Sequence, residues 1–589
     1  MSAGWPGMTG ATDHVRVGTR SSGEGTCPDY LAAKAHPALR PATAARTRKE
    51  KLDTFPLGIL NAALDEIERN GAPTAQAVDL AVEEAAGEGK RPHPAALTWV
   101  RAGVAQYLAG AARHRDRVQP ADRATVLVRD YWVASEDRRA SGGRLWEMYA
   151  YGRRYESPDG SVREIRILHY GIFDPRQPAG DRQDAQGQDS QEDHKLAGRA
   201  AQEALAAYSA AFGVAAPWPR RWSEPFQPSR VLRAPAGPIR LVRVVQVGLA
   251  DGEHHVVFEG IPAKAKREYE GNGAGQVRRA VTRGVPQPGG GCAQCKLRTA
   301  CEALEPLPGI LGITDPGAPV RTWSAASGRY YSRCPAQAHL YRLHLPRDRE
   351  YSESAKRGQA VHAWLGQAHG GPGRTPCTMR DIPASPDDWS AGRWHVTGEE
   401  ARRGALMLGS HAEMCPFHRA SQLGEVRVEP LLTVHDTAAN VIVTARPDLL
   451  YLEDGSWVWR ETKTKARPLR PGTDLLAEYP QLALGMILLA ENLLEGKPAG
   501  RRVELELLYP DSSDMILLDP NDHAHLARAR EVIHDLAAPW HADETAVPRP
   551  GPECRSCPVR QWCPDALPLA DAGPAPDEAD DDEDGEECE

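Results

Sequence analysis

The stretch of residues 446–465, "RPDLLYLEDGSWVWRETKTK", decides the fold of this chain. It reads as two β-strands joined at Asp454-Gly455, a pair typical of a tight hairpin turn. Side chains two residues apart on a strand point to the same face, so Glu461 and Lys463 face together. The turn brings Asp448, on the first strand, alongside them. The segment therefore predicts a hairpin that gathers two carboxylates and an ammonium group.

The segments around this hairpin predict an α/β fold. A helical stretch precedes the hairpin, and a helix, a strand and a last helix follow it. The predicted strands are residues 425–435, 440–452, 457–465 and 501–510, and the predicted helices are residues 353–369, 475–494 and 521–536. This order is typical of a mixed central sheet flanked by helices.

The charged groups of the hairpin indicate a metal site. Two close carboxylates repel each other unless a cation lies between them, and such oxygen ligands suit Mg²⁺ or Mn²⁺. Lys463 could orient a water or neutralise developing charge. His362, four residues after Gly358 on a predicted helix, is a candidate third ligand. Two alternatives stay open: a surface hairpin of alternating charge, and a histidine that is only structural.

Eight of the eleven cysteines form two sets of one design. "CAQCKLRTAC" and "CRSCPVRQWC" both read Cys-x2-Cys-x5-Cys, and a Cys-Pro pair lies far upstream of each. In a reducing cytoplasm, clustered cysteines indicate metal binding rather than disulfides. The two sets are Cys27, Cys292, Cys295 and Cys301, and Cys334, Cys554, Cys557 and Cys563. The remaining three, Cys377, Cys415 and Cys588, look isolated and are predicted to be incidental.

Taken in order, these motifs resemble the PD-(D/E)XK nucleases of RecB type that carry an iron–sulfur cluster. Examples are the CRISPR-associated RecB-like exonucleases and the nuclease domains of AddAB-type helicase–nucleases. The resemblance covers about residues 321–566. The matching positions are Gly358-x3-His362, Glu429, Pro447-Asp448, Glu461-Thr462-Lys463 and Gln481. Gly485 replaces the aromatic residue often found four positions after the glutamine, which leaves the role of Gln481 open.

The resemblance implies a restriction-endonuclease-like domain with an assigned active site. His362, Asp448, Glu461 and the carbonyl of Thr462 would hold Mg²⁺ or Mn²⁺, and Lys463 would act on the attacking water. Asp448, Glu461 and Lys463 would be the catalytic residues. The Cys334 set would hold a [4Fe–4S] cluster that ties the first helix to the C-terminal segment and closes a long loop. Four thiolates also suit Zn²⁺, which stays the alternative for both sets.

The segment after the hairpin is predicted to contact DNA. Its basic side chains are Lys465, Arg467 and Arg470 in "KTKARPLRPG", and Gln481 lies on the next predicted helix. Such a run supplies phosphate contacts beside a metal site. The alternative for Arg467 and Arg470 is an ordinary solvated loop.

The matching cysteine sets indicate that the first half is a second copy of the same domain. Aligned on the hairpin by Gly160-Ser161, its sequence has Arg166 and Leu168 at the glutamate and lysine positions. Aligned by Gly58 on Gly358, it has Ala62 at the histidine position. We therefore expect two such domains in tandem. The first would be degenerate, with its own [4Fe–4S] cluster, and kept as a DNA clamp or partner surface. The alternative is an unrelated α/β domain.

The chain is predicted to divide into five segments. They are a disordered N-terminus (1–20), a degenerate nuclease-like domain (21–302), a Pro/Gly-rich linker (303–322), an active nuclease domain (323–566) and an acidic disordered tail (567–589). A polar insertion at 178–195 is expected to be a loop. The tail holds ten acids in residues 577–589, and the rest of the chain is nearly neutral. Contact with nucleic acid must therefore come from local basic patches. The tail would either solvate the protein or compete with DNA for a basic groove.

These features together predict a cytoplasmic DNA nuclease that acts in repair, recombination or anti-phage defence. The sequence shows no signal peptide and no membrane span. Its partner would be DNA that is single-stranded or has free ends. A helicase or other defence proteins would be separate chains, because no phosphate-binding P-loop motif occurs. The alternative is a non-catalytic nucleic-acid-binding subunit of a larger complex.

Overall fold

The structure of the chain is a computed structural model. It describes residues 4–19, 27–42, 47–175, 190–229, 237–348, 352–371, 375–418 and 423–568. Most of the predicted polar loop (178–189) and the acidic tail from residue 569 onward lie outside these residues. Among the helices of the described ranges, none is long and apolar enough to cross a bilayer.

The first half alternates short strands with helices, and its helices begin at prolines in several places, where the missing N–H costs nothing. Its elements are β1 (Met8–Thr9), β2 (His14–Gly18), α1 (Pro28–Ala35), β3 (Arg40–Pro41), α2 (Pro56–Asn70), α3 (Thr74–Gly87), α4 (Pro94–Arg117), β4 (Val126–Val128), β5 (Tyr131–Asp137), β6 (Leu145–Tyr149), β7 (Arg153–Glu156), β8 (Val162–His169), α5 (Ser190–Phe212), β9 (Val214–Ala216), β10 (Leu241–Gly248), β11 (His254–Gly260), α6 (Pro262–Glu268) and α7 (Ala274–Ala280).

The second half contains the predicted hairpin of residues 446–465. Its elements are β12 (Glu305–Pro306), β13 (Arg321–Trp323), α8 (Ala325–Arg333), α9 (Pro335–Arg342), α10 (Glu353–Gly370), β14 (Asp388–Ala391), β15 (Trp394–Thr397), α11 (Gly398–Met414), β16 (Leu423–Val428), β17 (Leu432–Asp436), β18 (Val441–Ala445), β19 (Leu449–Glu453), β20 (Ser456–Thr464), α12 (Leu475–Glu478), α13 (Pro480–Ala490), β21 (Arg502–Leu508), β22 (Ser513–Leu518) and α14 (His523–Ala542). Asp454 and Gly455 both have positive φ, as the predicted tight turn requires.

Each half contains a five-stranded mixed sheet of the same topology. The strand order is β4-β7-β8-β10-β11 in the first half and β16-β19-β20-β21-β22 in the second. In both sheets the third and fourth strands are parallel and the other neighbouring pairs are antiparallel. A parallel pair needs a crossover connection. Helix α5 supplies it between β8 and β10, and α12 with α13 supplies it between β20 and β21.

Helices cover both faces of the second sheet, which confirms the predicted mixed α/β architecture of that half. One face packs against α8, α13 and α14 in a core that includes Trp457 and Trp459. The other face packs against α10 and α11. Helix α13 is buried along almost its whole length because its sequence is apolar on every side.

The two halves share a hydrophobic core. Helices α2, α3 and α4 of the first half bury side chains against Leu340, Leu343 and Val559 of the second. The predicted linker is also packed rather than loose: β12 pairs with β17, and Ile310 and Leu311 lie in the core of the second half.

The prediction of a disordered N-terminus is wrong for residues 4–19. Strand β2 pairs in parallel with β6 and is buried along its length. Arg16, whose side chain is fully buried, forms an ion pair with Glu147 at 2.7 Å. The buried charge has its partner more than a hundred residues away, so the short segment shows no local sign of its role.

Candidate active site

Two strands predicted as continuous are split in the structure, and the splits position the two outer acids. The 425–435 strand becomes β16 and β17, and the 440–452 strand becomes β18 and β19, with the members of each pair in different sheets. Proline cannot donate to a strand ladder, and a proline follows Glu429 and precedes Asp448. The two breaks lie side by side, because the N–H of Glu429 donates to the carbonyl oxygen of Asp448 at 3.1 Å.

Asp448 stands opposite Glu461 at the end of the hairpin. The β19–β20 ladder begins one residue after Asp448 and ends one residue before Glu461. The main-chain N–H of Thr462 donates to Asp448 Oδ2 at 2.7 Å. The Nδ1 atom of His362, on α10, lies 3.4 Å from Asp448 Oδ1. One carboxylate is therefore held by the neighbouring strand and by a helix.

Glu461 and Lys463 share the face of β20 that packs toward α13, as their spacing predicts. Lys463 Nζ lies 3.7 Å from Glu461 Oε2, and both side chains are buried. The indole N–H of Trp459 donates to Glu461 Oε1 at 2.8 Å. The second carboxylate is therefore oriented by a residue two positions earlier on its own strand.

The electrostatics of the site favour an ionised Asp448. Burial opposes ionisation of this carboxyl, but the charges of His362 and Lys463 and its hydrogen bonds outweigh burial and lower its pKa. Burial likewise opposes protonation of His362, yet Asp448 raises the pKa of the imidazole. Burial and then the charge of Asp448 raise the pKa of Glu429. Acids that repel one another in this way gain from an added cation.

The residues of the site fit a hard divalent cation. His362, Glu429, Asp448 and Thr462 line one cleft between α10 and the hairpin. Carboxylate oxygens with one imidazole nitrogen form a donor set that suits Mn²⁺ or Mg²⁺.

The predicted DNA-contacting residues are not all at the surface. Gln481 lies at the start of α13 and is buried. Lys465 is 3% exposed, and its Nζ lies 5.6 Å from the ring centre of Tyr479. Arg467 and Arg470 are exposed. The structure therefore offers two of these four side chains directly to solvent.

The structure gathers the eight cysteines into the two predicted sets. Burial, followed by the charges of Cys334, Cys554 and Cys563, raises the pKa of Cys557 to about 12. Burial, followed by the charges of the rest of its set, raises the pKa of Cys295 to about 11. Buried thiols that interact so strongly become thiolates when a metal is present.

The main chain around the two sets is the same. The N–H five residues before the first closing cysteine donates to the upstream sulfur in each half: Gln287 to Cys27 Sγ at 3.3 Å, and Arg549 to Cys334 Sγ at 3.4 Å. Two short 3₁₀ turns follow in both, at Gly290–Gln294 and Arg298–Ala300, and at Pro552–Cys554 and Arg560–Trp562.

The alignment of Arg166 and Leu168 with the catalytic glutamate and lysine is wrong by one residue. The ladder that ends at Arg166 in the first half ends at Arg460 in the second, so these two arginines correspond. A shift of one residue moves a side chain to the opposite face of the sheet. Arg166 indeed faces α4, where its guanidinium donates to the hydroxyl of Tyr107, whereas Glu461 faces the crossover helix.

In the corrected register the first half still lacks the site residues. The glutamate and lysine positions carry Ile167 and His169, and the aspartate position carries Gly152. Ala62 lies on α2, which packs on the same side of its sheet as α10 does in the second half. No carboxylate stands at any of these positions.

The structure brings together one group of metal-ligating side chains that the sequence did not predict. His369, Cys377, His411 and Cys415 are all buried, and their ligand atoms lie within 4.8 Å of one another. The prediction that Cys377 and Cys415 are isolated is wrong, because both lie in this cluster. The spacing His411-x3-Cys415 at the end of a helix was the available signal, because residues four apart share a helix face.

Comparison with known proteins supports the fold and activity predicted for the second half. No curated protein matches the chain. The solved structure described as "Crystal structure of SSO0001" has 16% sequence identity and a TM-score of 0.17, and the match covers 28% of this chain and 71% of that chain. Residues 322–564, which contain the whole candidate active site, match the PD-(D/E)XK nuclease superfamily.

Proposed function

We propose that this protein is a metal-dependent nuclease that hydrolyses phosphodiester bonds in DNA, with one active site in the second half. The observation that carries the proposal is the position of Asp448 opposite Glu461, with His362 and Lys463 beside them. The superfamily match over the same segment supports this chemistry.

In the proposed mechanism, His362, Asp448, Glu461 and the carbonyl of Thr462 would hold Mg²⁺ or Mn²⁺. When bound, the ion supplies the Lewis acidity that activates water and stabilises the leaving oxygen. Lys463 lies close enough to Glu461 to orient the attacking water and to balance charge that develops on the phosphate. Arg467 and Arg470 would contact the DNA backbone beside the site, whereas Gln481 and Lys465 are buried.

Each four-cysteine set is proposed to hold a [4Fe–4S] cluster. A single Zn²⁺ holds four sulfurs about 3.8 Å apart, given Zn–S bonds of about 2.3 Å. A cubane cluster binds each thiolate at a different iron, so its sulfurs stand further apart. The cysteine pattern, which resembles that of the iron–sulfur nucleases, supports the cluster, and Zn²⁺ is the alternative that sulfur–sulfur distances would distinguish.

The first half is proposed to be a degenerate copy that binds DNA or a partner protein. The shared strand order, the shared crossover and the matching cysteine segments support duplication. Gly152, Ile167 and His169 leave it without a catalytic carboxylate. We further propose that the protein acts, as RecB-type nucleases do, on DNA that is single-stranded or has free ends. It would act in the cytoplasm, in repair or defence, and any helicase would be a separate chain.

The test uses Glu461→Gln and Lys463→Ala in the full, anaerobically purified chain. Each variant should lower Mn²⁺-dependent cleavage of single-stranded DNA by at least about 100-fold, because each removes a group that acts in the transition state. Binding of the same DNA should persist.

Matched controls are Glu425→Gln on the exposed part of β16 and Lys266→Ala on α6, which should cleave normally. Normal cleavage by Glu461→Gln would contradict the site assignment. A wild-type protein that binds but never cuts DNA or RNA would instead favour the non-catalytic binding subunit.

A further inference from the structure

We propose that His369, Cys377, His411 and Cys415 form a structural zinc site, which adjoins the cleft of the proposed active site through His369 and is distinct from both four-cysteine sets. The proposal goes beyond the nuclease function and does not depend on it. The four side chains come from the last turn of α10, the segment after it, and the end of α11.

The ligand atoms have the spacing of a tetrahedral Zn²⁺ site. The Nε2 atoms of His369 and His411 are 3.2 Å apart. The sulfurs of Cys377 and Cys415 lie 3.5 and 3.8 Å from His369 Nε2. Bonds of about 2.05 Å to nitrogen and 2.3 Å to sulfur in a tetrahedron give nitrogen–nitrogen distances near 3.3 Å and nitrogen–sulfur distances near 3.6 Å. All three measured distances agree with this geometry.

Hydrogen bonds around the cluster prepare the ligands for a metal. His411 Nδ1 donates to Glu506 Oε1 at 2.7 Å, which leaves Nε2 as the nitrogen that faces the cluster and could bind a metal. A carboxylate behind a ligating histidine is the usual outer partner at zinc sites. The N–H of Cys377 donates to Cys415 Sγ at 3.4 Å, which stabilises a thiolate.

A purely hydrogen-bonded cluster explains these positions less well. All four residues are buried, with at most 5% exposed, and Phe417 packs on His369. If His369 donated its Nε2 proton to His411, both cysteines would remain as weakly bonded thiols around the same point. One Zn²⁺ satisfies two imidazoles and two thiolates together.

The proposed zinc site is linked to two residues of the proposed active site. His369 lies seven residues, about two helical turns, after His362 on α10. Glu506, which holds His411, also accepts the hydroxyl of Thr462 at 3.0 Å. The zinc would therefore fix the helix that carries one metal ligand and the strand position that carries another.

The first experiment measures metals in the full chain after anaerobic purification. We expect about one zinc per chain, with a zinc X-ray absorption spectrum that fits two nitrogens and two sulfurs. A four-sulfur shell would place the zinc in a cysteine set and overturn the proposal. Absence of zinc, or a Cys377–Cys415 disulfide in the mass spectrum, would also overturn it.

The second experiment compares variants by the same elemental analysis. Cys377→Ser with Cys415→Ser should lose the zinc and keep the iron, while His523→Ala, an exposed histidine on α14, should keep both. Zinc retained in the double variant would contradict the assignment. Should that variant fail to fold, the absorption spectrum of the wild type decides the question alone.

Discussion

The two carboxylates of the site are held by neighbours and not by each other. Asp448 accepts the main-chain N–H of Thr462, and Glu461 accepts the indole N–H of Trp459. Both donors belong to β20 itself, so the strand that carries one acid also orients the other. A site held in this way has its ligand geometry before a metal arrives.

Trp459→Phe should weaken metal binding without removing a ligand. The change deletes the donor to Glu461, and loss of such an outer hydrogen bond typically costs 10- to 100-fold in metal affinity or activity. The measurement is the Mn²⁺ concentration for half-maximal cleavage, which should rise at least about tenfold.

Trp457→Phe is the matched control for that prediction. Trp457 lies on the same face of β20 and donates its indole N–H to the carbonyl oxygen of Glu495, away from the site. An equal rise in both variants would show that the effect comes from general loosening of the core.

His254 should make the stability of the first half depend on pH. Burial, then the positive charge of Arg166, lowers the pKa of this histidine to about 3. The folded state keeps the ring neutral while the unfolded chain protonates below about pH 6.5. The stabilisation is therefore complete above pH 6.5 and is lost as the pH falls toward 3.

Between pH 7 and pH 5 this group should remove about 2 kcal/mol from the free energy of unfolding, at about 1.4 kcal/mol per pH unit. Urea denaturation of the full chain at the two pH values measures it. His254→Gln should abolish that part of the pH dependence, and His255→Gln, next to it on β11, should retain it. Identical pH dependence in the two variants would contradict the assignment.

Residues were predictable where chemistry and spacing coincide locally. Asp448, Glu461 and Lys463 lie within sixteen residues, and the period of a strand brings them together. The grouping of His369 and Cys377 with their partners was not predictable, because those partners lie at the end of another helix. Only the packing of α10 on α11 brings the four residues together. Nothing in the sequence showed that Lys465 would be buried beside Tyr479.

At the scale of elements, glycines fix how closely helices approach the sheets. A Cβ atom on Gly110 of α4 would lie 1.7 Å from the carbonyl oxygen of Gly252, in the turn between β10 and β11. Gly110→Ala should therefore destabilise the protein by at least about 1–3 kcal/mol, the usual cost of overpacking.

Gly87→Ala provides the comparison for that change. Gly87 ends α3, and a Cβ atom there would meet nothing within 4 Å. Alanine at such a site changes stability little or raises it by up to about 1 kcal/mol. Urea midpoints of the two variants should move in opposite directions, and a tolerated Gly110→Ala would mean that α4 can shift away from the turn.

The type of each element was predictable from the sequence, but the positions at which helices and strands are interrupted were not. The helix predicted at 475–494 is α12 and α13, divided at Tyr479 where Pro480 begins the second helix. The predicted strands on either side of the site divide at Pro430 and Pro447 for the related reason that proline has no N–H. Strand β22 and helix α11 were not predicted.

At the scale of the whole molecule, the strand order shows the repeat more clearly than the sequence does. In the sequence, only the cysteine spacing indicated two copies, and the matching cysteines lie only at the two ends of each half. The common order of the two five-stranded sheets covers the middle of each half, and strand pairing fixes a register that the sequences alone do not show. Residues that keep a ladder in place need not be similar, so two halves can share a topology without recognisable similarity between their sequences.

The repeat predicts two clusters but one active site. The full chain, prepared anaerobically, should contain roughly eight irons, four for each [4Fe–4S] cluster. Cys295→Ser and Cys557→Ser should each remove about half of the iron, because each breaks one set. Glu461→Gln should leave the iron unchanged while cleavage is lost. Colorimetric iron analysis beside the DNA assay checks all three. Zinc in place of iron at either set would refute the cluster assignment there, and loss of all iron in one cysteine variant would mean that the two sets depend on each other through the shared core of the halves.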